Sequence, residues 1–161
     1  MASQKLLIGP GKLLDSHGNL TQSGWSPYPV LDTNLEDSQF YAIRPLQSLR
    51  LKIWDYYAIT TPTHFLAFTI SDIGYLGMVF AYVIDFQTGA YKEETLAVPF
   101  AKGVRLPRNS TEGVTEYKKN KIVLRFSAEE AQRQLYVRWP GFAGNALNAE
   151  LTLSCPQNHE S

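Results

Sequence analysis

Residues 65–86 read FLAFTISDIGYLGMVFAYVIDF, and this stretch decides the fold. β-Branched and aromatic residues recur on both sides of Asp72-Ile73-Gly74-Tyr75, a segment with the composition of a tight turn. The pattern predicts two antiparallel strands, Phe65 to Ser71 and Leu76 to Phe86, joined as a hairpin. The second strand is apolar on both faces, which predicts a central strand that is covered on both sides or borders a cavity.

Strand-like alternation continues on either side of this hairpin. Six further strands are predicted: Leu51 to Ile59, Lys92 to Phe100, Val114 to Tyr117, Ile122 to Phe126, Leu135 to Trp139 and Leu147 to Leu153. A capping-box pattern at Ser127 to Ala131 predicts one helical turn. About eight strands without long helical patterns predict an all-β fold, namely an antiparallel barrel, half-barrel or sandwich.

The chain has the length of one domain with a distinct lead-in. Its 161 residues can bury a core without a metal or a disulfide to hold it. Residues 1–48 are rich in turn formers, such as Gly9-Pro10-Gly11 and Ser26-Pro27-Tyr28-Pro29, and they predict a loop-rich segment packed on the rest. Residues 49–161 are expected to form the antiparallel β domain.

Charge and motif content argue against several partners. The 15 basic and 15 acidic side chains cancel, so the long-range attraction that nucleic acid or an anionic membrane would exploit is missing. The histidines at 17, 64 and 159 do not fall in a metal-ligand spacing, and no glycine-rich phosphate loop or nucleophile elbow is visible. We therefore expect no metal, no cofactor and no nucleic acid. Cys155, the lone cysteine, is interpreted as a small apolar filler.

Apolar runs in the sequence are short. Leu6 to Ile8 is too brief for a secretory signal, and Tyr75 to Phe86 falls well short of a bilayer span. These observations predict a cytoplasmic protein without stable membrane insertion. On that basis Asn109-Ser110-Thr111, although it is a glycosylation sequon, is expected to be a polar turn.

Two aspartates are candidate catalytic acids. Asp55 lies on a predicted aromatic strand and Asp72 follows another, so either could be a carboxyl whose pKa is raised by burial. The alternative is structural. Asp72 and Asp85 each adjoin a glycine-containing turn, where aspartate commonly accepts hydrogen bonds from nearby backbone N–H groups, and Asp55 could be a paired or rim-exposed residue.

Aromatic side chains supply the candidate binding residues. The sequence has nine Tyr, eight Phe and three Trp. The residues expected to contact an apolar ligand are Trp54, Tyr56, Phe68, Phe80, Tyr82 and Trp139. Because aromatics also dominate protein cores without any ligand, simple packing is the alternative for each of them.

Five ordered motifs resemble the family known as domain of unknown function 2804. They are Gly11-Lys12-Leu13-Leu14-Asp15, continuing through Gly18 to Gly24-Trp25; Lys52-Ile53-Trp54-Asp55-Tyr56-Tyr57; Ala67 to Gly77; Asp85-Phe86-Gln87-Thr88-Gly89; and the loop from Leu106 to Gly113. The resemblance implies a chain that looks like the first half of a two-domain family, whose members are roughly twice this length. It also implies a distant similarity to the double-lipocalin proteins that include carotenoid hydratases and tocopherol cyclase, hence a lipocalin-like (calycin-like) β domain. The family offers no established catalytic residue to carry over.

Three functional hypotheses follow. The chain could bind an apolar, lipid-like or isoprenoid-like small molecule, which its aromatic content favours. It could be an enzyme of hydratase, isomerase or cyclase type with Asp55 or Asp72 as proton donor. It could instead be a structural half that pairs with a second β domain or with a copy of itself, which predicts an exposed apolar patch.

Overall fold

The lead-in segment has little regular structure. A computed structural model describes residues 5–129 and 131–154, except the side chains of residues 44 and 45. Strands β1 (Gly11–Lys12) and β2 (Leu31–Asp32) form a short parallel pair, and two 3-10 helices follow, η1 (Leu35–Asp37) and η2 (Arg44–Leu49). The turn formers seen in the sequence account for this irregular backbone.

Four strands after the lead-in form the first large sheet. They are β3 (Ile53–Thr60), β4 (His64–Asp72), β5 (Leu76–Asp85) and β6 (Tyr91–Pro99). They pair antiparallel in chain order, β3-β4-β5-β6. The predicted hairpin is confirmed, and the strand that is apolar on both faces is central, because β5 pairs with β4 on one side and β6 on the other. Proline has no N–H to donate to a neighbouring strand, and Pro99 accordingly lies on β6, an edge strand of this sheet.

The second large sheet has five strands. They are β7 (Val104–Arg105), β8 (Gly113–Lys119), β9 (Ile122–Glu129), β10 (Gln132–Pro140) and β11 (Ala146–Ser154), with a 3-10 helix, η3 (Phe142–Gly144), before the last. All pairings are antiparallel, in the order β11-β10-β9-β8-β7.

The predicted helical turn at Ser127 to Ala131 is wrong. Ser127, Ala128 and Glu129 continue β9 and pair with Gln134, Arg133 and Gln132 of β10. A capping interaction stabilises a helix by about 1 kcal/mol. In this segment the hydrogen bonds between β9 and β10 form instead of the helical turn. The polar residues that suggested a cap lie instead at the end of a hairpin.

One apolar core joins the two sheets. Alternate residues of each sheet point inward, among them Phe68, Ile70 and Val79 from the first and Leu124, Phe126 and Trp139 from the second, and all six are at most 1% exposed. The rings of Tyr57 and Phe126 meet edge to face across this layer, with centroids 5.2 Å apart. Within residues 5–129 and 131–154 neither sheet closes into a barrel. Of the predicted all-β architectures, the chain therefore adopts an antiparallel sandwich.

No helix among the described residues is long and apolar enough to cross a membrane.

Candidate functional site

A cleft opens between the two sheets along β3. Its volume is about 920 Å³, which falls in the range of roughly 300 to 1,000 Å³ that small-molecule sites occupy. The inner faces of β3, β8 and β9 form its floor, and residues 29–33 and 106–111 form its outer walls. Its apolar lining includes Ile53, Tyr57, Leu106, Phe126 and Ala128. The cleft is therefore a concave, largely apolar space placed where the sandwich is open.

Asp55 is the acidic group on the cleft floor. It points between the sheets because it alternates with outward-facing Trp54 and Tyr56 along β3. The Thr115 hydroxyl of β8 donates a hydrogen bond of 2.6 Å to Oδ2 of Asp55, so this contact links the two sheets. Burial raises the pKa of Asp55, and it outweighs the opposing effects of the Thr115 hydrogen bond and the positive charge of Arg133.

Arg133 connects two backbone segments at the back of the cleft by hydrogen bonds. Its guanidinium donates to the carbonyl oxygens of Glu129 and Gln132 (2.8 and 3.0 Å) and to that of Ser110 (3.3 Å). These bonds tie the turn between β9 and β10 to the loop that forms one outer wall. Arg133 thus positions the wall, and its charge favours the ionised form of Asp55 from a distance.

The lead-in is attached to the opposite wall by ionic contacts. Arg108 binds Asp32 through two hydrogen bonds (Nε to Oδ1 2.9 Å, Nη2 to Oδ2 3.1 Å), and its Nη2 lies 2.7 Å from Glu36. This contact lowers the pKa of Asp32, because the guanidinium favours the carboxylate. All three side chains are substantially exposed, so the contact contributes modestly to stability. Its clearer consequence is geometric, since it joins the two outer walls.

The buried Asn34 fixes the shape of the lead-in. Its Oδ1 accepts a hydrogen bond from the Leu14 N–H, and its Nδ2 donates to the Leu14 carbonyl and to Oδ2 of Asp37. The side chain is 1% exposed, and its amide oxygen and nitrogen are both hydrogen-bonded, as burial of an amide requires. These bonds join the segment that directly follows residues 29–33 to an earlier part of the lead-in.

The sequence-predicted site residues separate into three groups in the structure. Trp54 and Tyr56 border the cleft from the free edge of β3. Phe68 and Trp139 are packed in the core, at 0% and 1% exposure. Phe80 and Tyr82 alternate with inward-facing Val79 and Ala81, so they lie on the outer face of the first sheet.

The other aspartates act in turns. Asp72 Oδ1 accepts a hydrogen bond of 2.7 Å from the Gly74 N–H, in the turn between β4 and β5. Asp85 Oδ1 accepts from the N–H groups of Gln87 and Thr88, and these bonds lower its pKa. Both contacts match the structural alternative for these residues. Of the two candidate acids, Asp55 is the one that lies in the cleft.

Thr115, Arg133 and Arg108 were missed by the sequence reasoning. A signal existed for two of them: Thr115 is in phase with buried Tyr117, and Arg133 with buried Leu135 and Val137. A polar residue at an inward-facing strand position is unusual enough to mark a site. No comparable signal existed for Arg108, because a loop residue carries no period.

Among the residues that the structure describes, no three His, Cys, Asp or Glu side chains lie close enough together to bind a metal ion. His159 and Cys155 lie outside the described residues.

The fold and the cleft define the molecule as an antiparallel β-sandwich protein with an open cleft between its sheets. The family described as Domain of unknown function (DUF2804) matches residues 4–161, so the chain belongs to this family. Comparison with the curated proteins and with the solved structures found no match. The resemblance of the five motifs is thereby confirmed over almost the whole chain.

The raised pKa of Asp55 has a consequence for stability. Because the pKa in the folded state lies above the ordinary value of 3.8, the contribution of Asp55 to the free energy of unfolding is full below that value and is lost as the pH rises through the folded-state pKa. The Asp55→Asn variant keeps an acceptor for Thr115 and removes this loss. We expect its stability relative to the wild type to increase as the pH rises above the ordinary carboxyl pKa of 3.8 and through the raised pKa of Asp55. Urea unfolding at several pH values measures the difference, and a constant or falling difference contradicts the assignment.

Proposed function

We propose that the cleft binds a predominantly apolar small molecule that carries one neutral hydrogen-bonding group. The observation that carries this proposal is a half-buried carboxyl, Asp55, on the floor of a ligand-sized cleft whose lining is otherwise rich in apolar and aromatic side chains. The apolar body of the ligand packs against Ile53, Tyr57 and Ala128. Its polar group reaches Asp55.

The charges around the cleft favour a neutral polar group. Arg108 is engaged by Asp32 and Glu36, and Arg133 donates to three backbone carbonyls. Among the described residues Asp55 forms no ion pair. A ligand carboxylate would meet the Asp55 carboxylate in a partly desolvated space, which is unfavourable. A hydroxyl can donate to the ionised form of Asp55 or accept from its protonated form.

The lipocalin-like relationship belongs to this proposal. Lipocalins hold an apolar ligand within an antiparallel barrel, and in this chain the space between two open sheets would serve the same purpose. Trp54 and Tyr56 remain ligand-contacting residues in the proposal because they border the cleft. Phe68 and Trp139 serve packing, since both are fully enclosed.

Fluorescence titration tests the proposal with defined probes. Farnesol and oleyl alcohol represent neutral ligands, and oleate is the charged counterpart of the second. We expect the alcohols to change the tryptophan emission saturably, with oleate weaker by about tenfold or more. Asp55→Leu should weaken farnesol binding by at least about tenfold, because the polar group of the ligand loses its partner.

Glu150→Leu is the matched control, since Glu150 is an exposed carboxylate on the outer face of β11. It should leave the titration unchanged. Equal effects of the two variants, or no saturable signal with either alcohol, contradict the proposal.

Proton-transfer chemistry is the second candidate function, and the raised pKa of Asp55 favours it. A protonated carboxyl beside an apolar pocket can transfer its proton to an alkene carbon, and the resulting cation then loses a proton or takes up water. Farnesol recovered from deuterated water after incubation should then carry deuterium with the wild type and not with Asp55→Asn. Recovery of unlabelled, unchanged farnesol from the wild type leaves binding as the function.

A further inference from the structure

The two sheets present very different outer faces. The outer face of the five-stranded sheet is polar, with residues such as Arg125, Gln134, Arg138, Asn148, Glu150 and Thr152. The outer face of the four-stranded sheet carries Trp54, Tyr56, Phe65, Phe80, Tyr82 and Tyr91, which we call the aromatic face. An antiparallel sheet with one face in water normally alternates apolar and polar residues. The five-stranded sheet follows this rule and the four-stranded sheet does not.

Large apolar side chains on the aromatic face are open to solvent. Trp54 is 64% exposed, Tyr91 56% and Tyr56 43%. Tyr82 stacks on Phe65 with ring centroids 5.7 Å apart, and its hydroxyl lies 3.1 Å from that of Tyr56. Soluble monomers rarely expose a contiguous patch of this kind without using it.

Small residues on β4 form the floor of the aromatic face. Tyr56 and Tyr82 meet from the strands on either side of β4, so their rings lean over Ala67 and Thr69, which are 0% and 4% exposed. The hydroxyl of Thr69 is enclosed there without a hydrogen-bond partner among the described residues. The aromatic face is therefore a largely apolar surface over a buried floor, similar in construction to the inner face of a sandwich.

Electrostatic repulsion does not oppose the association of two copies of the aromatic face. At the outward positions of β3 to β6 the one side chain that is charged at neutral pH is Glu93, which accepts a hydrogen bond from the Tyr91 hydroxyl. A symmetric contact places like surfaces together, so a strongly charged face would repel its copy. A nearly uncharged face is self-complementary, and it is a poor match for a strongly charged partner.

The size of the aromatic face corresponds to a small, reversible dimer interface. Four strands spaced about 4.8 Å apart, with about 3.3 Å of rise per residue, present a face of roughly 550 Å². Two copies would bury roughly 1,100 Å², against about 1,200 Å² for the smallest interfaces of standard size. An interface just below the standard size is expected to be reversible, with a dissociation constant in the micromolar range.

We propose that a second copy of this chain docks on the aromatic face, with the two four-stranded sheets packed face to face about a two-fold axis. Aligned sheets of this kind cross at about 30° and interdigitate their side chains. The strand β5, which is apolar on both faces, is then covered on both sides. The docked copy covers Trp54 and Tyr56, which also border the cleft, but it leaves the inward-facing cleft residues Asp55, Thr115 and Ala128 uncovered.

Sedimentation velocity from about 1 to about 100 µM tests the proposal, and we expect the wild type to convert from monomer to dimer within that range. Phe80→Lys, at the centre of the aromatic face, and Tyr91→Lys, at its exposed rim, should each raise the dissociation constant of the dimer at least about tenfold. Tyr136→Lys is the matched control, because Tyr136 is 41% exposed on the opposite, polar outer face. It should have no effect.

Circular dichroism establishes whether each variant is folded. If Phe80→Lys does not fold, Tyr91→Lys still tests the proposal. A wild type that stays monomeric over the whole range overturns the proposal, whether the aromatic face is bare or occupied by another molecule. A dimer that all three lysine variants weaken equally, or that none weakens, also overturns it. The comparison of Asp55→Leu with Glu150→Leu in the farnesol titration reports on the cleft floor, which the docked copy does not cover.

Discussion

Replacing Trp139 with alanine is expected to lower the free energy of unfolding by about 3 to 5 kcal/mol. Trp139 is 1% exposed, and its ring packs edge to face on Phe142 with centroids 5.7 Å apart. Trp139 belongs to the core cluster that residues of both sheets form, so removing the indole leaves a cavity in a closely packed interior. Urea unfolding followed by circular dichroism measures the loss. Small domains have about 5 to 15 kcal/mol in total, so the variant should be only marginally folded.

Trp54→Ala is the matched control for this prediction. The chemical change is the same, but Trp54 is 64% exposed on the edge strand β3. We expect its free energy of unfolding to fall by about 1 kcal/mol or less. If the two variants lose similar stability, Trp139 is not the core residue that the structure makes it. Its sequence-based interpretation as a ligand contact would then have to be considered again.

Filling the cleft by Ala128→Trp is expected to weaken farnesol binding by at least about 100-fold, close to the limit of detection. Ala128 is half-buried on the inner face of β9 and lines the cleft near Arg133. An indole at this position occupies the space that the apolar body of the ligand needs. Because the cleft is open to solvent, the added ring need not disturb the core.

Ser127→Trp is the control for that variant. Ser127 is the neighbouring residue on the same strand, and its side chain points to the opposite face of the sheet. Ser127→Trp should bind farnesol as the wild type does. Unchanged binding by Ala128→Trp, or equal loss in both variants, would place the ligand outside the cleft.

Regular alternation made most of the fold predictable. The strands from β3 to β11, apart from the two-residue β7, were expected within a few residues of their observed bounds, because period-two patterning reports directly which side chains face the core. The helical turn at Ser127 to Ala131 was misjudged because a capping pattern is local, whereas the ladder that overrides it depends on Arg133 and Gln134 across the hairpin. The choice among barrel, half-barrel and sandwich was not predictable, since it depends on how sheet edges meet.

The candidate site was predictable only in part. The phase of Asp55 along β3 could be read from the sequence, and so could its potential as a buried acid. Its partner Thr115 is 60 residues away on the other sheet, and the periodicity of one strand says nothing about which strand faces it. The outer walls depend on Arg108 reaching Asp32 from 76 residues away. The predicted aromatic site residues lie partly at the cleft, partly in the core and partly on the outer face. Their positions could not be predicted, because the sequence of a strand that is apolar on both faces does not show which face packs against the other sheet.

Native mass spectrometry of the purified protein, followed by solvent extraction of whatever accompanies it, determines whether the cleft holds a ligand. We expect a predominantly apolar compound with a neutral oxygen-containing group to accompany the wild type and Ser127→Trp, and to be lost from Ala128→Trp. A wild type that carries no such compound and takes up none when offered farnesol would show that the cleft is not a site for an apolar ligand. Retention of the compound by Ala128→Trp would show that the ligand lies elsewhere.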